Sequence, residues 1–229
     1  MNFEQARFNM IEQQIRPWEV LDASVLRLLA VVKREDFVPM VHRSLAFADL
    51  EIPLSAPSEI AMSLGQCMLA PRLEARLLQD AAVQPHETVL EIGTGSGYMA
   101  ALLAHKARKV LSLEIDSALV TTARENLRKS GVQNVEVRHA DGAQWSAAAR
   151  PDEGMFDVIM LSGSVTMVPD ALLAMLNVGG RLCGIVGDEP VMRATIVTRS
   201  STTALHSVQS WDTQAPRLQN FPEPSRFQF

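Results

Sequence analysis

Thiols are scarce in this chain of 229 residues, with Cys67 and Cys183 the only two cysteines. Two such residues do not make a disulfide framework, and no cysteine or histidine spacing suits a metal, so no metal is expected. A basic excess is also lacking. The 21 Lys and Arg against 26 Asp and Glu leave a net charge of −5, which argues against a general nucleic-acid binder because phosphate contact favours basic surfaces. Long apolar runs are missing too: Val25 to Val32 is broken by Arg27 and is too short to span a bilayer. The start, Met1-Asn-Phe-Glu-Gln5, has neither the basic opening nor the apolar centre of a signal peptide. No internal repeat or low-complexity block occurs. These absences point to a reducing cytoplasm and to partners other than nucleic acid or membrane.

What is present is enough apolar material for one substantial core, since 47% of the residues are hydrophobic. The chain is organised around Thr88-Val-Leu-Glu-Ile-Gly-Thr-Gly-Ser-Gly97. Val89, Leu90 and Ile92 read as a strand buried on both faces of a parallel sheet. Gly93, Thr94, Gly95, Ser96 and Gly97 form a turn, and Tyr98 to Ala104 read as the helix after it. Such a unit gathers backbone N–H groups around one point with little side-chain bulk in the way. The spacing is G-x-G-x-G, and Tyr98 stands where a dinucleotide site would place its last glycine. Glu91 would put negative charge beside the turn, which repels pyrophosphate and suits a cationic, amine-bearing ligand such as S-adenosylmethionine (SAM).

Residues 1–50 read as helical. Asn2 or Glu4 opens a first helix ended by Arg16-Pro17, and Asp22 caps a second. Residues 51–71 read as a connecting loop leading to a helix over 71–82. From Thr88 strands alternate with helices: strands 88–92, 109–114, 134–139, 156–161 and 181–186, and helices 97–106, 117–129 and 172–176. The strand at 156 follows a loop with Pro151 and Gly154, and Asn177-Val-Gly-Gly180 reads as a turn. This alternation implies an α/β fold with a doubly wound, mostly parallel sheet. Residues 191–199 and 204–211 read as antiparallel edge strands, and Pro216 to Phe229 as an extended tail.

Three acids fall at the ends of successive strands. Glu114 stands where doubly wound folds accept hydrogen bonds from ribose hydroxyls, and Asp141-Gly142 stands where an acid could receive an adenine amino group. Glu91 completes the set. Other residues attract less: Cys67 reads as packing, the five histidines show no ligand spacing, and Trp18 with the N-terminal methionines reads as core or interface.

Val89-Leu-Glu-Ile-Gly-Thr-Gly-Ser-Gly-Tyr98 resembles the first SAM motif of the protein-L-isoaspartate O-methyltransferase family. The likeness covers most of the chain. Arg34-Glu-Asp-Phe-Val-Pro39 is similar to the segment before that family's substrate loop, and Ala46-Phe-Ala-Asp49 to its A-Y-x-D element. Asp141-Gly142, Phe156-Asp-Val-Ile159, Pro169 to Leu173 and Gly179 to Leu182 match later motifs in order. The resemblance implies a Rossmann-like SAM methyltransferase with a seven-stranded sheet and an N-terminal helical segment. Residues 1–82 would supply helices and substrate loop, 83–190 the SAM-binding core, and 191–229 the edge strands and tail. Glu91, Gly93, Thr94, Gly95, Ser96, Gly97, Glu114, Ile115, Asp141 and Gly142 would bind SAM and its product S-adenosylhomocysteine. Gln66, Leu69 and Ser162 would face the substrate, a protein or peptide carrying an isoaspartyl carboxylate.

The chain departs from the family pattern at T-I-S-x-P, which reads here Cys67-Met-Leu-Ala-Pro71, so that Leu69 takes the serine position. Ile185 likewise replaces a proline. Either another donor (Ser63, Gln66 or Ser162) holds the acceptor, or the chain is a paralogue with a different acceptor. A SAM-binding protein without catalysis and a nicotinamide oxidoreductase are the other readings, the latter disfavoured by Tyr98 and Glu91. The oligomeric state is not legible.

Overall fold

The computed structural model describes residues 2–149, 152 and 154–223. Pro151 of the expected loop and residues 224–229 of the expected tail lie outside them. The N-terminal part opens with α1 (Phe3–Met10), capped by the Asn2 side chain. A wider π-helical turn over Ile11–Ile15 and a 3₁₀ turn containing Pro17 end it. Helix α2 (Ala23–Val31) starts where the Asp22 carboxylate accepts the N–H groups of Ser24 and Val25, satisfying donors that a helix start leaves unpaired.

The expected loop over 51–71 is more ordered than its prolines suggest. Strands β1 (Ile52–Pro53) and β2 (Cys67–Met68) pair antiparallel around the short helix α3 (Ser58–Ser63). Residue pairs this short carry no periodicity, so the sequence gives no sign of them. Helix α4 (Pro71–Ala81) follows, with Pro71 in its first turn where a missing N–H costs nothing.

A seven-stranded sheet forms the centre. Its strands are β3 (Thr88–Ile92), β4 (Lys109–Glu114), β5 (Val135–His139), β6 (Phe156–Val165), β7 (Leu176–Asp188), β8 (Val191–Arg199) and β9 (Leu205–Thr213). Their spatial order is β5-β4-β3-β6-β7-β8-β9, with the first five strands paired in parallel and the last two pairings, β7 with β8 and β8 with β9, antiparallel. The chain thus leaves β3 towards β4 and β5, then returns to β6 on the other side of β3. That reversal opens a crevice at the carboxyl ends of β3, β4 and β6.

Successive strand residues enter opposite layers, as the pleat requires. Val89, Val110, Met160 and Cys183 pack under α4, α5 (Tyr98–Ala104) and the N-terminal helices. Leu90, Leu111, Ile159 and Leu182 pack on the other face, with Trp145, Leu172 and Met175. Helix α6 (Ser117–Lys129) crosses from β4 to β5, and α7 (Asp170–Leu173) precedes β7. The turn expected at Asn177–Gly180 lies inside β7: the pairing Phe156 with Leu176 jumps to Val158 with Arg181, so those four residues bulge out of register. Trp18 is not core, being 48% exposed with the Arg72 guanidinium stacked on its ring.

Candidate functional site

The glycine turn leaves β3 at the crevice and is fastened to β4. Gly93 and Thr94 donate their N–H groups to the Leu113 carbonyl at 2.9 and 3.2 Å. Gly95 donates to Glu114 Oε2 at 2.8 Å, and Asp116 donates to Glu114 Oε1 at 3.0 Å. Burial raises the Glu114 pKa, while these backbone donors oppose the shift. Gly97, in the left-handed region at φ 86°, begins α5.

Beneath the turn lies a polar set that only the pleat assembles. Glu91, Ser112 and Ser162 point to the same face from three neighbouring strands. Ser112 Oγ lies 2.5 Å from Glu91 Oε2 and 2.6 Å from Thr94 Oγ1, and Ser162 Oγ donates to Glu91 Oε1 at 2.8 Å. Burial pushes the Glu91 carboxyl up to about 8, the two serine hydroxyls pull it down, and the carboxylates of Glu114 and Glu74 push it further up. The negative charge expected at Glu91 beside the turn is therefore corrected: the group is fully buried and largely a neutral acid at pH 7.

Asp141 follows β5. Its Oδ1 accepts the Ala143 N–H at 2.9 Å, and its Oδ2 accepts from the side chains of Gln144 at 3.1 Å and Asn220 at 3.0 Å. A Cβ on Gly142 would collide with the Ile92 side chain, so only glycine lets this turn close on β3. His139 ends β5, its Nε2 2.9 Å from the Ile115 carbonyl.

These pieces border one cavity of about 70 Å³. Among the residues expected at the cofactor, Gly93, Gly95, Glu114, Ile115, Asp141 and Gly142 line it. Glu91, Thr94, Ser96 and Gly97 do not; they support the turn from behind. On the substrate side Gln66 and Ser162 line the cavity together with Leu64, Gly65 and Cys67. Leu69 does not. Its side chain is buried in the apolar layer under the sheet, and its carbonyl accepts from Arg34 Nη2 at 2.6 Å.

The three donors considered in place of serine already have partners. Ser63 donates to the Ile60 carbonyl, Ser162 to Glu91, and Gln66 Nε2 to Asp116 Oδ2 at 3.0 Å. A hydroxyl has one proton to give and an amide nitrogen two, so Gln66 alone of the three keeps a second N–H. Cys67 packs beside Glu51, and burial pushes its thiol up to about 12, which leaves it a poor nucleophile at neutral pH.

Sequence reasoning missed several residues of the site. Ser112 is a serine in an apolar strand, a signal that could have been read as a partner for Glu91. Arg34 is fully buried, ion-paired with Glu74 and donating to the Ala46 and Leu69 carbonyls, so it ties α4 to both ends of the 46–69 segment. Leu218 and Phe221 line the cavity from the far end of the chain, and nothing in their local pattern marks them.

Comparison with known proteins gives a consistent result. The sequence profile described as protein-L-isoaspartate(D-aspartate) O-methyltransferase matches residues 5–210. A protein-L-isoaspartate O-methyltransferase 1 from Syntrophobacter fumaroxidans is 36% identical over 198 residues, covering 86% of each chain. One named protein-L-isoaspartate O-methyltransferase from a Synechococcus species is 35% identical over 210 residues, covering 91% of this chain and 81% of that one. The fold is similar to the crystal structure of a Plasmodium falciparum protein described as a beta-aspartate methyltransferase in complex with S-adenosyl-L-homocysteine. Its TM-score is 0.78 at 18% identity, over 96% of this chain and 99% of that one.

Proposed function

This chain belongs to the protein-L-isoaspartate(D-aspartate) O-methyltransferase family, and from that premise we propose that it is a SAM-dependent methyltransferase acting on the free carboxylate of L-isoaspartyl residues in damaged proteins. One observation supports this most: the glycine turn, Glu114 and Asp141-Gly142 border a single cavity at the point where the strand order reverses.

The residues present fit the cofactor. Glu114 spends two acceptor positions on the backbone of its own loop and keeps others for ribose hydroxyls, since a carboxylate has about four lone-pair sites. Asp141 is the acceptor for the adenine amino group, and Gly93 and Gly142 line the cavity without a side chain of their own. Thr94, Ser96 and Gly97 hold the turn, and Glu91 with Ser112 supports it from behind. Bound SAM supplies an electrophilic methyl group and leaves as S-adenosylhomocysteine.

What the chain itself must do is modest. A carboxylate acceptor has a pKa near 4 and is ionised at neutral pH, so no general base is required. The protein must hold one carboxylate oxygen in place and keep water out. In this reading the spare N–H of Gln66 takes the role of the absent serine hydroxyl. Ser162, its proton committed to Glu91, contributes an oxygen to the wall.

A polypeptide acceptor suits the surroundings. Met40 and Val41 are 86% and 83% exposed, and Ile60, Met62 and Leu64 add apolar surface on the segment that borders the cavity. Residues 1–82 are then the substrate-facing part, 83–190 the cofactor core and 191–229 the sheet edge and tail. The reaction belongs to a reducing cytoplasm. Among the described residues no helix is long and apolar enough to cross a membrane.

The test is transfer of labelled methyl from SAM to an isoaspartyl peptide, with the normal aspartyl peptide as control. Transfer to the first and not the second is expected. S-adenosylhomocysteine binding without transfer would instead favour a paralogue with another acceptor, or a binder without catalysis.

A further inference from the structure

After β9 the chain runs back across the open ends of the parallel strands. The Ser164 N–H donates to the Pro216 carbonyl at 2.7 Å and the Leu218 N–H to the Ser164 carbonyl at 2.9 Å, which lays residues 216–218 alongside the end of β6. The Leu218 side chain then sits on the backbone of Gly93 and Gly163, at 2.9 Å from where a Cβ on either would stand. Gln219 Nε2 donates to the Leu64 carbonyl at 3.1 Å, bridging to the opposite rim of the cavity. Asn220, in the left-handed region at φ 63°, turns the chain and donates its amide to Asp141 Oδ2 at 3.0 Å. Phe221 lines the cavity beyond it.

Two consequences meet here. The cavity under this segment is about 70 Å³, whereas sites for ligands of this kind enclose roughly 300–1,000 Å³. The Asn220 amide also presents an N–H to the same carboxylate that an adenine amino group would use.

We propose that residues 216–221 form a strap that closes the cofactor cavity by self-recognition, with Asn220 occupying Asp141 in place of the adenine amino group. The inference rests on the cofactor reading above and extends it to how the ligand enters. Entry requires Asn220 to leave Asp141 and Gln219 to leave Leu64. Ligand affinity is reduced by the fraction of molecules with the strap closed, as for any site whose competent state is only partly populated.

The contacts at stake are exposed, so their removal leaves the core intact. In the full chain, Asn220→Ala and Gln219→Ala each remove one contact, the first at Asp141 and the second on the far rim. The equilibrium constant for S-adenosylhomocysteine is measured by calorimetry and its dissociation rate with tritiated ligand, which together give the association rate. Each variant is expected to bind roughly three- to tenfold tighter, the range of one ordinary hydrogen bond, with the gain in association. Unchanged or weaker binding in both variants, with the wild type binding normally, overturns the strap and leaves the cofactor reading standing. A wild type that does not bind S-adenosylhomocysteine overturns both.

Discussion

The Glu114 carboxylate accepts the Gly95 N–H at 2.8 Å, so the acid that ends β4 holds the turn that ends β3. One side chain thereby shapes the loop and, in the proposed function, binds the ribose.

Glu114→Ala should lose both roles. Removing an acceptor from two backbone donors costs about 1–3 kcal/mol where the donors are left unpaired. Melting temperature and S-adenosylhomocysteine affinity should therefore fall together. Glu114→Gln keeps one oxygen and should fall less in both. Calorimetry showing full affinity in the alanine variant would remove Glu114 from the cofactor site.

Glu91 predicts a pH dependence of stability. Its carboxyl is raised from an ordinary 4.5 to about 8 by burial, so between those values the folded chain holds a proton that the unfolded chain has released. Stability from this group is complete below about pH 4.5 and declines as pH rises to about 8. Glu91→Gln removes the titration. The variant's melting temperature should gain on the wild type steadily from pH 5 to pH 8, and parallel pH profiles for the two proteins would contradict the buried neutral acid.

Leu69→Ser restores the family's residue but places a hydroxyl in an apolar layer. Loss of the buried side chain should destabilise the protein by about 2–4 kcal/mol, read as a lower denaturation midpoint, with no rise in methyl transfer. A clear rise in transfer would return position 69 to the acceptor site.

Gln66 is expected to carry what Leu69 does not. Gln66→Ala should raise KM for an isoaspartyl peptide by about ten- to a hundredfold, the worth of a hydrogen bond to a charged group, while S-adenosylhomocysteine affinity changes little. An unaltered KM would assign the acceptor to another donor.

The family reading, the α/β class, the strand alternation from Thr88 and the acids Glu114 and Asp141 were all legible because each is a local pattern. A buried parallel strand must be a short apolar run, a glycine turn must follow where backbone approaches a ligand, and a helix start selects Asp22 or Asn2 as its cap. Those requirements act on neighbours in the chain and so leave a mark in the order of residues.

Other features depended on contacts between distant segments. Glu91 reads as a negative charge beside the turn until Ser112 and Ser162 are seen beside it from neighbouring strands, 21 and 71 positions away. Burial then decides its protonation, because a charge withdrawn from water is costly unless paired. Leu69 reads as part of the acceptor site by register alone, yet the β1–β2 pairing and Arg34 turn its side chain into the core. The meeting of Asn220 with Asp141 spans 79 positions. No periodicity encodes such an encounter: it exists only because a seven-stranded sheet returns the end of the chain to the mouth of the crevice that its middle opened.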